Sequence, residues 1–166
     1  MRIVVCVKHV PDMQSERRFE GGRLVRGEDD VLNELDENAI EAAVQLKESE
    51  EDAGREAEVV ALTMGPEDAE DSLMRALQMG ADRAYIVSDE FLEGSDVITT
   101  ASVLSVAIAK IAQECGPVDL VLTGMASLDA MTSMLPAALA AKAHMPLLGL
   151  ARSLSVEGGV VTIERA

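Results

Sequence analysis

Short runs of β-branched and aliphatic residues alternate along the chain with segments whose apolar side chains recur at helical spacing. The runs predict four strands, at residues 2–7, 58–64, 83–88 and 119–123. The intervening segments predict four helices, at residues 36–47, from Pro66 to Gly80, from a cap at Ser95 or Asp96 to Glu114, and near residues 135–142. This alternation is typical of an α/β fold, a Rossmann-like open parallel sheet with helices on both faces.

Two glycine pairs predict hairpins that are added to this sheet. Gly21-Gly22 lies within residues 17–26, and Gly158-Gly159 separates residues 147–156 from residues 160–163. Adjacent glycines supply the positive φ angles that a tight hairpin turn requires. We therefore expect one hairpin early in the chain and one near its end.

The length and composition limit the classes of partner. At 166 residues and 48% hydrophobic, the chain predicts a single globular domain spanning residues 1–166. It carries 14 basic and 30 acidic side chains, so its formal charge of −16 opposes binding to nucleic acid or anionic lipid. Two Phe, one Tyr and no Trp leave little aromatic surface for stacking bases. We expect a protein or a small molecule as the partner.

The charge is unevenly distributed along the chain. Residues 1–100 hold 25 acidic and 10 basic side chains, whereas residues 101–166 hold 5 and 4. An acidic tract at residues 48–52, followed by Ala53-Gly54, is expected to close the first helix on the surface. One interpretation of the neutral second half is that it is buried. The other is that part of its surface covers a ligand or a partner subunit.

The cysteines and the apolar stretches indicate in which cellular compartment the protein is expected. Cys6 and Cys115 suggest neither a disulfide framework nor a metal cluster, and we expect both to be reduced. The N-terminus shows no signal-peptide pattern, and the apolar stretches are expected to end well short of a membrane span. A cytoplasmic protein without membrane insertion is the simplest interpretation.

Standard catalytic and phosphate-binding motifs are missing from the sequence. It contains no G-x-G-x-x-G after the first strand, no G-x-x-x-x-G-K-[ST] and no G-x-S-x-G. Its two histidines, His9 and His144, are far apart and give little support to a catalytic triad. The sequence predicts a non-catalytic protein.

The edge of the sheet at the carboxyl ends of its strands is where a ligand is expected. In open parallel sheets, ligands bind at the crevice where the strand order reverses. This rule selects residues 7–11, 64–65 and 124–135. Lys8 and His9 follow the first strand directly, although both also suit ordinary surface positions.

The segment after the fourth strand carries the most informative polar residues. Gly124 lets the backbone approach a ligand, Asp129 can accept hydrogen bonds from a ribose, and Thr132 and Ser133 lie where the next helix begins. Hydroxyls and free backbone N–H groups at a helix N-terminus form an anion site without any Lys. The hydroxyls equally suit a simple helix cap, and Asn33 suits a turn or cap as well as a ligand contact.

Four strings together resemble the β subunit of electron-transfer flavoprotein, the family related to the nitrogen-fixation FixA proteins. They are VVCVKHVPD, LNELDENAIEAAVQLKE, LTMGPEDAEDSLMRALQMGADRAYIV and DLVLTGMASLDAMTSMLPAALAA. They span nearly the whole chain in the family's order and spacing. The strings ALQMGADRA and VKHVPD make the resemblance specific, and its details are closest to actinomycete-type members.

The resemblance implies a heterodimer in which an α subunit holds most of the FAD. The β subunit would bind a structural AMP, help to cover the flavin, and carry electrons from flavin dehydrogenases to an acceptor. Asp129 matches the ribose-side acid of the family's loop, and Thr132 and Ser133 lie in its phosphate-facing turn. Carried over position by position, the AMP contacts would be Cys6 (through its backbone), Asn33, Glu34, Leu35, Asp36, Met64, Gly124, Met125, Ala126, Ser127, Leu128, Asp129, Ala130, Met131, Thr132, Ser133, Met134 and Leu135.

The chain departs from the family pattern in two ways. Many members carry a D-G-D-T-A-Q type run, where Ala130, Met131 and Met134 intrude here and would narrow the turn. The family's chains also continue into a partner-docking loop and a C-terminal arm that wraps the α subunit. We therefore expect a fragment or shortened relative that lacks this arm.

Two other classes of protein could share this fold. A stand-alone module of the universal-stress type is the alternative, but it usually carries a late G-x-x-G-x(9)-G-[ST] run that is absent here. An adenine-nucleotide hydrolase or ligase would need a Ser-Gly-Gly-type loop after the first strand, and residues 7–12 offer none. The sequence favours the electron-carrier subunit.

Overall fold

A computed structural model describes residues 1–165 of the chain. In chain order its strands are β1 (Arg2–Cys6), β2 (His9–Pro11), β3 (Phe19–Glu20), β4 (Arg23–Leu24), β5 (Asp30–Leu32), β6 (Glu58–Met64), β7 (Arg83–Val87), β8 (Leu120–Thr123), β9 (Ala151–Glu157) and β10 (Val160–Arg165). Its helices are α1 (Glu34–Asp52), α2 (Glu70–Gln78), α3 (Val97–Cys115) and α4 (Leu135–Lys142). The expected α/β alternation is confirmed.

A parallel sheet with the strand order β7-β6-β1-β8 forms the centre of the fold. Ile3 of β1 lies opposite Val59 of β6 on one side and Leu120 of β8 on the other. The chain moves outward from β1 through β6 to β7, and then returns by α3 to place β8 on the opposite side of β1. The strand order therefore reverses between β1 and β8, where the rule for open sheets places a ligand crevice.

The core consists of two apolar layers, one on each face of the sheet, because successive strand residues point to opposite faces. The first layer is shared by α1 and α2, and the second by α3 and α4. From β1, Ile3 and Val5 enter the first layer, whereas Val4 and Cys6 enter the second. Helices thus cover both faces, as the sequence predicted.

The first helix is longer than predicted. It runs from Glu34 through the acidic tract to Asp52, and it ends at Ala53-Gly54 as expected. Glu is a good helix former, and Glu50 is held by an ion pair with Arg55. Gly54, with φ at 74°, takes the left-handed conformation that turns the chain away from the helix.

The second half of the chain is not buried as a whole. Leu104, Ile108 and Leu139 enter the core, but most of the core side chains come from residues 1–100. Met125, Met131, Met134, Leu147, Leu148 and Leu150 are instead exposed. The low charge of this half therefore reflects an apolar exposed surface, and the expectation of a buried second half was wrong.

Helix α3 is the one helix among residues 1–165 whose length and composition would allow it to cross a membrane, with a mean hydropathy of 1.3. The core helix of a folded domain passes the same test of length and composition. The α3 side chains Ala101, Leu104, Ile108 and Ile111 are buried in the layer against the sheet. Asp96 caps this helix as predicted, accepting a hydrogen bond from the backbone N–H of Thr99 at 2.7 Å.

Two hairpins and one short ribbon extend the sheet domain. The predicted hairpins are confirmed as β3–β4 around Gly21-Gly22 and β9–β10 around Gly158-Gly159. The antiparallel pair of β2 and β5 was not predicted. Residues 12–29 lie between these two strands in the chain. They form an excursion that leaves the sheet after β1 and returns to it just before α1.

Candidate functional site

The side chain of Asn33 joins the start of α1 to the loop after β8. It is fully buried, and its Nδ2 donates a hydrogen bond to the carbonyl oxygen of Ala126 at 3.0 Å. Its Oδ1 accepts one from the backbone N–H of Leu128, also at 3.0 Å. Both ends of the amide thus bind the backbone on either side of Ser127 and fix the loop against α1.

Asp36 links the ends of β1 and β8 to the first turn of α1. Its buried carboxylate accepts a hydrogen bond from the backbone N–H of Lys8 at 2.8 Å and another from the backbone of Gly124. Burial raises the pKa of Asp36 from 3.8 to about 6, against the opposing effect of these hydrogen bonds and of the Lys8 charge. The same burial, with the Asp36 charge, raises the pKa of the Cys6 thiol to about 12, so Cys6 is a neutral core residue.

Asp129 is the most heavily engaged acidic residue of the loop. Its carboxylate is 1% exposed and accepts hydrogen bonds from Lys8 Nζ at 3.0 and 2.9 Å and from the Arg26 guanidinium. Burial pushes the pKa of Asp129 upward, but hydrogen bonds from Arg26, Lys8 and Ser127 and the Lys8 charge outweigh it and hold the pKa below its usual range. Asp129 therefore stays ionised. Through Arg26 and Lys8 it links residues 12–29 and the end of β1 to the loop after β8.

The loop that follows Asp129 is tightly turned. The carbonyl oxygen of Ser127 accepts hydrogen bonds from the backbone N–H groups of Ala130 at 3.2 Å and Met131 at 2.8 Å. Met131 and Ser133 have φ angles of 51° and 52°, in the left-handed region that non-glycine residues seldom adopt. Such strain is concentrated at functional loops, which makes this turn a candidate ligand contact.

The hydroxyls predicted to face a phosphate are accessible. Thr132 and Ser133 are exposed just before α4, and Met134, the residue that precedes the helix, provides no side-chain cap. Pro136 lies in the first turn of α4 and lacks a backbone N–H, so the helix offers one donor fewer than an ordinary N-terminus. The side chains of Met131 and Met134 point into solvent, with about half their surfaces exposed.

The remaining candidate residues are divided between the crevice and its surroundings. Gly124 begins the loop, and Leu35 and Glu34 form the first turn of α1 beside it. Cys6 is buried beneath the crevice at the end of β1. Met64 is the last residue of β6, where it pairs with Val87 of β7. Strand β6 lies between β7 and β1, so β1 separates it from β8. The structure thus assembles the α1 and β8 candidates and leaves Met64 one strand away.

Several contacts of the site were missed in the sequence. Arg26 and Arg17, which donates to the carbonyl oxygen of Leu128 at 3.3 Å, are more than 100 residues from their partners in the chain. The sequence left Lys8 as a possible surface residue, whereas in the structure its ammonium group forms an ion pair with Asp129. His9 is buried, and its Nδ1 lies 2.8 Å from the Ser72 hydroxyl, so it contributes to the core rather than to the loop.

A surface groove lies outside this crevice. It has a volume of about 730 Å³ and runs between β5, the start of α1 and α2, with Leu32, Glu37, Asp71 and Arg75 among its lining residues. Within residues 1–165, the structure places no three His, Cys, Asp or Glu side chains where they could hold a metal ion together. Cys6 and Cys115 are both free thiols.

Comparison with known proteins decides the family. The profile of the Electron transfer flavoprotein domain matches residues 22–166. The chain belongs to the electron transfer flavoprotein family. The resemblance drawn from the four sequence strings is thereby confirmed.

The relatives of this electron transfer flavoprotein chain include β subunits and FixA proteins. It is 40% identical over 166 residues to "Electron transfer flavoprotein subunit beta" of Mycobacterium leprae, and 38% identical over 170 residues to the protein of that name from Megasphaera elsdenii. These alignments cover 98% and 99% of the chain and 61% of each relative. "Protein FixA" of Azorhizobium caulinodans is 40% identical over 135 residues, covering 80% of the chain and 46% of the relative. The chain thus spans about three-fifths of the length of the β subunits it matches.

Proposed function

We propose that this chain acts as the β subunit of an electron transfer flavoprotein and binds AMP as a structural ligand. Its site would be the crevice between β1 and β8, formed by the first turn of α1 and the loop from Gly124 to Leu135. The observation that carries this proposal is the reversal of strand order at the point where Asn33 and Asp36 hold that loop. The family membership supports the electron-carrier role.

The residues of the crevice have the donor chemistry that a mononucleotide requires. Thr132 and Ser133 offer exposed hydroxyls, and Lys8 and Arg26 offer positive charge at the same edge of the sheet. Half-exposed apolar side chains such as Met125 can lie against a purine ring. AMP therefore fits this donor set, with a structural rather than a catalytic role.

The flavin is proposed to lie mainly in an α subunit. FAD, when bound, supplies the electron-carrying chemistry. In this chain Tyr85 is on β7 at the far edge of the sheet, and Phe19 and Phe91 are exposed outside the crevice, so they offer no ring that would stack on an isoalloxazine there. The exposed apolar residues of the second half support a role for this surface in covering the flavin beside the α subunit.

The cellular role follows from the same proposal. The chain would work in the cytoplasm as a non-catalytic carrier component that receives electrons from flavin dehydrogenases and passes them to an acceptor. Its partners would be the α subunit and these dehydrogenases.

Thermal unfolding with and without AMP tests the nucleotide site. A ligand that binds only the folded state raises the free energy of unfolding by about 2.7 kcal/mol at a concentration 100 times its Kd. We expect nucleotide-free chain to be stabilised by AMP and not by GMP. The absence of stabilisation at any AMP concentration would contradict the proposal.

Size-exclusion chromatography tests the division of the flavin between subunits. The chain mixed with excess FAD should elute as a colourless peak, and a stoichiometric yellow peak in the absence of an α subunit would contradict the proposal. A protein of the full length of the β-subunit relatives should co-elute with added α subunit and carry the yellow colour. AMP binding by that longer protein without any association with the α subunit would indicate a stand-alone nucleotide-binding module instead.

A further inference from the structure

The groove between β5, α1 and α2 combines apolar and polar side chains around a volume of about 730 Å³. Val31, Leu32 and Leu35 supply its apolar part, and Val31 is 41% exposed. Apolar residues that are grouped in a concave surface and bordered by polar side chains are typical of binding sites. The groove therefore offers a partner both a suitable shape and apolar surface.

Carboxylates border this groove. Its lining includes Asp30, Glu34, Glu37 and Asp71, and the one basic residue that the described part of the chain contributes to it is Arg75. Glu37 pairs with Arg75 at 3.4 Å, so these two charges balance each other. Asp30, Glu34 and Asp71 form no ion pair within residues 1–165. The groove thus carries three carboxylates that are available to a basic partner.

Helix stability accounts for only part of this charge. Glu34 and Glu37 lie in the first turn of α1 and Asp71 in the first turn of α2, where acidic side chains interact favourably with the helix dipole. Asp30, by contrast, lies on strand β5, and Asp is uncommon in strands. It therefore adds charge to the groove without stabilising the element that carries it.

The buried hydroxyl that lines the groove is already paired. Ser72 is 1% exposed, and its Oγ lies 2.8 Å from Nδ1 of His9. This pair leaves recognition to the apolar side chains and to the unpaired carboxylates.

We propose that the groove binds a segment of a partner protein that carries both basic and apolar side chains. The Lys or Arg side chains of this segment pair with Asp30, Glu34 and Asp71, and its apolar side chains contact Val31 and Leu35. Complementary charge speeds the encounter between partners and selects among them. The formal charge of −16 attracts such a segment to the chain, and the apolar lining favours its binding in this groove. The proposal is independent of the nucleotide site.

Fluorescence anisotropy with labelled synthetic peptides tests the proposal. The probe is a short peptide of Lys and Leu residues, compared with peptides of the same length in which Glu replaces Lys or Ser replaces Leu. We expect the Lys/Leu peptide to bind at least about 10-fold more tightly than either of the others, because each of them lacks one of the two kinds of contact. Equal binding of the Lys/Ser peptide would show that the apolar lining is not used, and would overturn the proposal.

Removal of charge from the groove should weaken the binding of the Lys/Leu peptide. The double variant Asp30→Asn with Asp71→Asn should raise its Kd by about fivefold or more. Glu48→Gln with Asp52→Asn is the matched control, because it makes the same change in net charge at exposed positions near the other end of α1. This control should keep the affinity of the wild type.

The variant Arg75→Gln should have the opposite effect. It releases Glu37 from its ion pair and adds one available carboxylate to the groove, so we expect the Kd of the Lys/Leu peptide to fall by about threefold. Impaired folding would not produce such a gain. Arg152→Gln, at an exposed position on β9, is the control and should change the Kd much less.

Three results would overturn the proposal. The first is a failure of the Lys/Leu peptide to bind the wild-type chain. The second is an equal loss of affinity in both double variants, since attraction by the net charge would then account for binding. The third is self-association of the wild-type chain that the Asp30→Asn/Asp71→Asn variant loses, as measured by sedimentation, because the groove would then take a second copy of this chain. In each case the binding of AMP to the chain can still be measured separately, so the proposed function stands or falls on its own test.

Discussion

The carboxylate of Asp36 fills the space beside Gly124 so closely that no side chain fits at residue 124. A β-carbon built on Gly124 would lie 2.3 Å from Asp36 Oδ1 and 2.9 Å from the carbonyl carbon and oxygen of Leu35. The Gly124 backbone can therefore approach the first turn of α1 and hydrogen-bond to Asp36 only because it has no β-carbon. This close approach determines where the loop after β8 begins.

Replacement of Gly124 by Ala should displace the loop from α1. Part of the new contact is with backbone, which cannot rotate away, so we expect the free energy of unfolding to fall by about 2–4 kcal/mol. AMP-induced stabilisation should fall with it. Urea denaturation measures the first effect. Gly149→Ala is the control, because residue 149 has open space around it and should change stability by less than about 0.5 kcal/mol.

Removal of the Asn33 amide should loosen the same loop from the other side. The change Asn33→Ala leaves the carbonyl oxygen of Ala126 and the backbone N–H of Leu128 without their partner. Because Asn33 is fully buried, we expect a loss of about 2–4 kcal/mol in the free energy of unfolding. Asn38→Ala, at an exposed position on α1, is the matched control and should be nearly neutral. Similar losses in both variants would show that Asn33 does not hold the loop.

The buried carboxyl of Asp36 should make stability depend on pH in a specific direction. Its pKa is about 6 in the folded protein and 3.8 ordinarily, so the folded state binds this proton more tightly than the unfolded chain. The contribution of Asp36 to the free energy of unfolding therefore decreases as pH rises from about 4 to about 6. Asp129, whose pKa is lowered, loses its contribution only below its ordinary value of 3.8.

Comparison with Asp36→Asn isolates this effect. Asn keeps the size of Asp36 and one acceptor oxygen but does not titrate. Denaturation between pH 4 and pH 7 should show the wild type losing up to about 3 kcal/mol relative to the variant as pH rises. A constant difference between the two proteins across this range would contradict the raised pKa.

Thr63 offers a stabilising substitution in the core. Its hydroxyl on β6 is fully buried and has no hydrogen-bond partner among the described residues. A buried polar group without a partner costs stability, so Thr63→Val should raise the free energy of unfolding by about 1–2 kcal/mol. Thr162→Val on the exposed side of β10 controls for strand propensity and should change little. A less stable Thr63→Val variant would show that the hydroxyl makes a contact in solution.

Local patterns predicted the elements better than they predicted the contacts of the site. Strand β6 and helix α4 begin and end at the predicted residues, because a buried β-branched run and an Ala- and Leu-rich segment each have a clear period. Strands β2 and β5 were missed because each has three residues and β2 ends in Pro11. Such a short ribbon depends on the fold that brings its strands together.

In the crevice, too, individual residues could be predicted from the sequence but their long-range contacts could not. Gly124 and Asn33 could be selected from the sequence because a glycine after a strand and an amide before a helix have few structural roles. The position of Arg26 against Asp129 carries no local signal, since the two are 103 residues apart and meet only when the excursion folds back. The exposure of the second half was also misjudged, because a lack of charge does not by itself distinguish a buried surface from one that is free to meet a partner.

The central claim is that an adenine mononucleotide binds between β1 and β8, and backbone amide NMR during a titration with AMP tests it most directly. We expect the shifts to be concentrated in Lys8, Asn33 to Asp36 and Gly124 to Leu135, and to saturate at one AMP per chain. Asn33→Ala should weaken the response. Spectra that do not change with AMP, or changes confined to the groove lined by Leu32, Glu37 and Arg75, would contradict the proposed site.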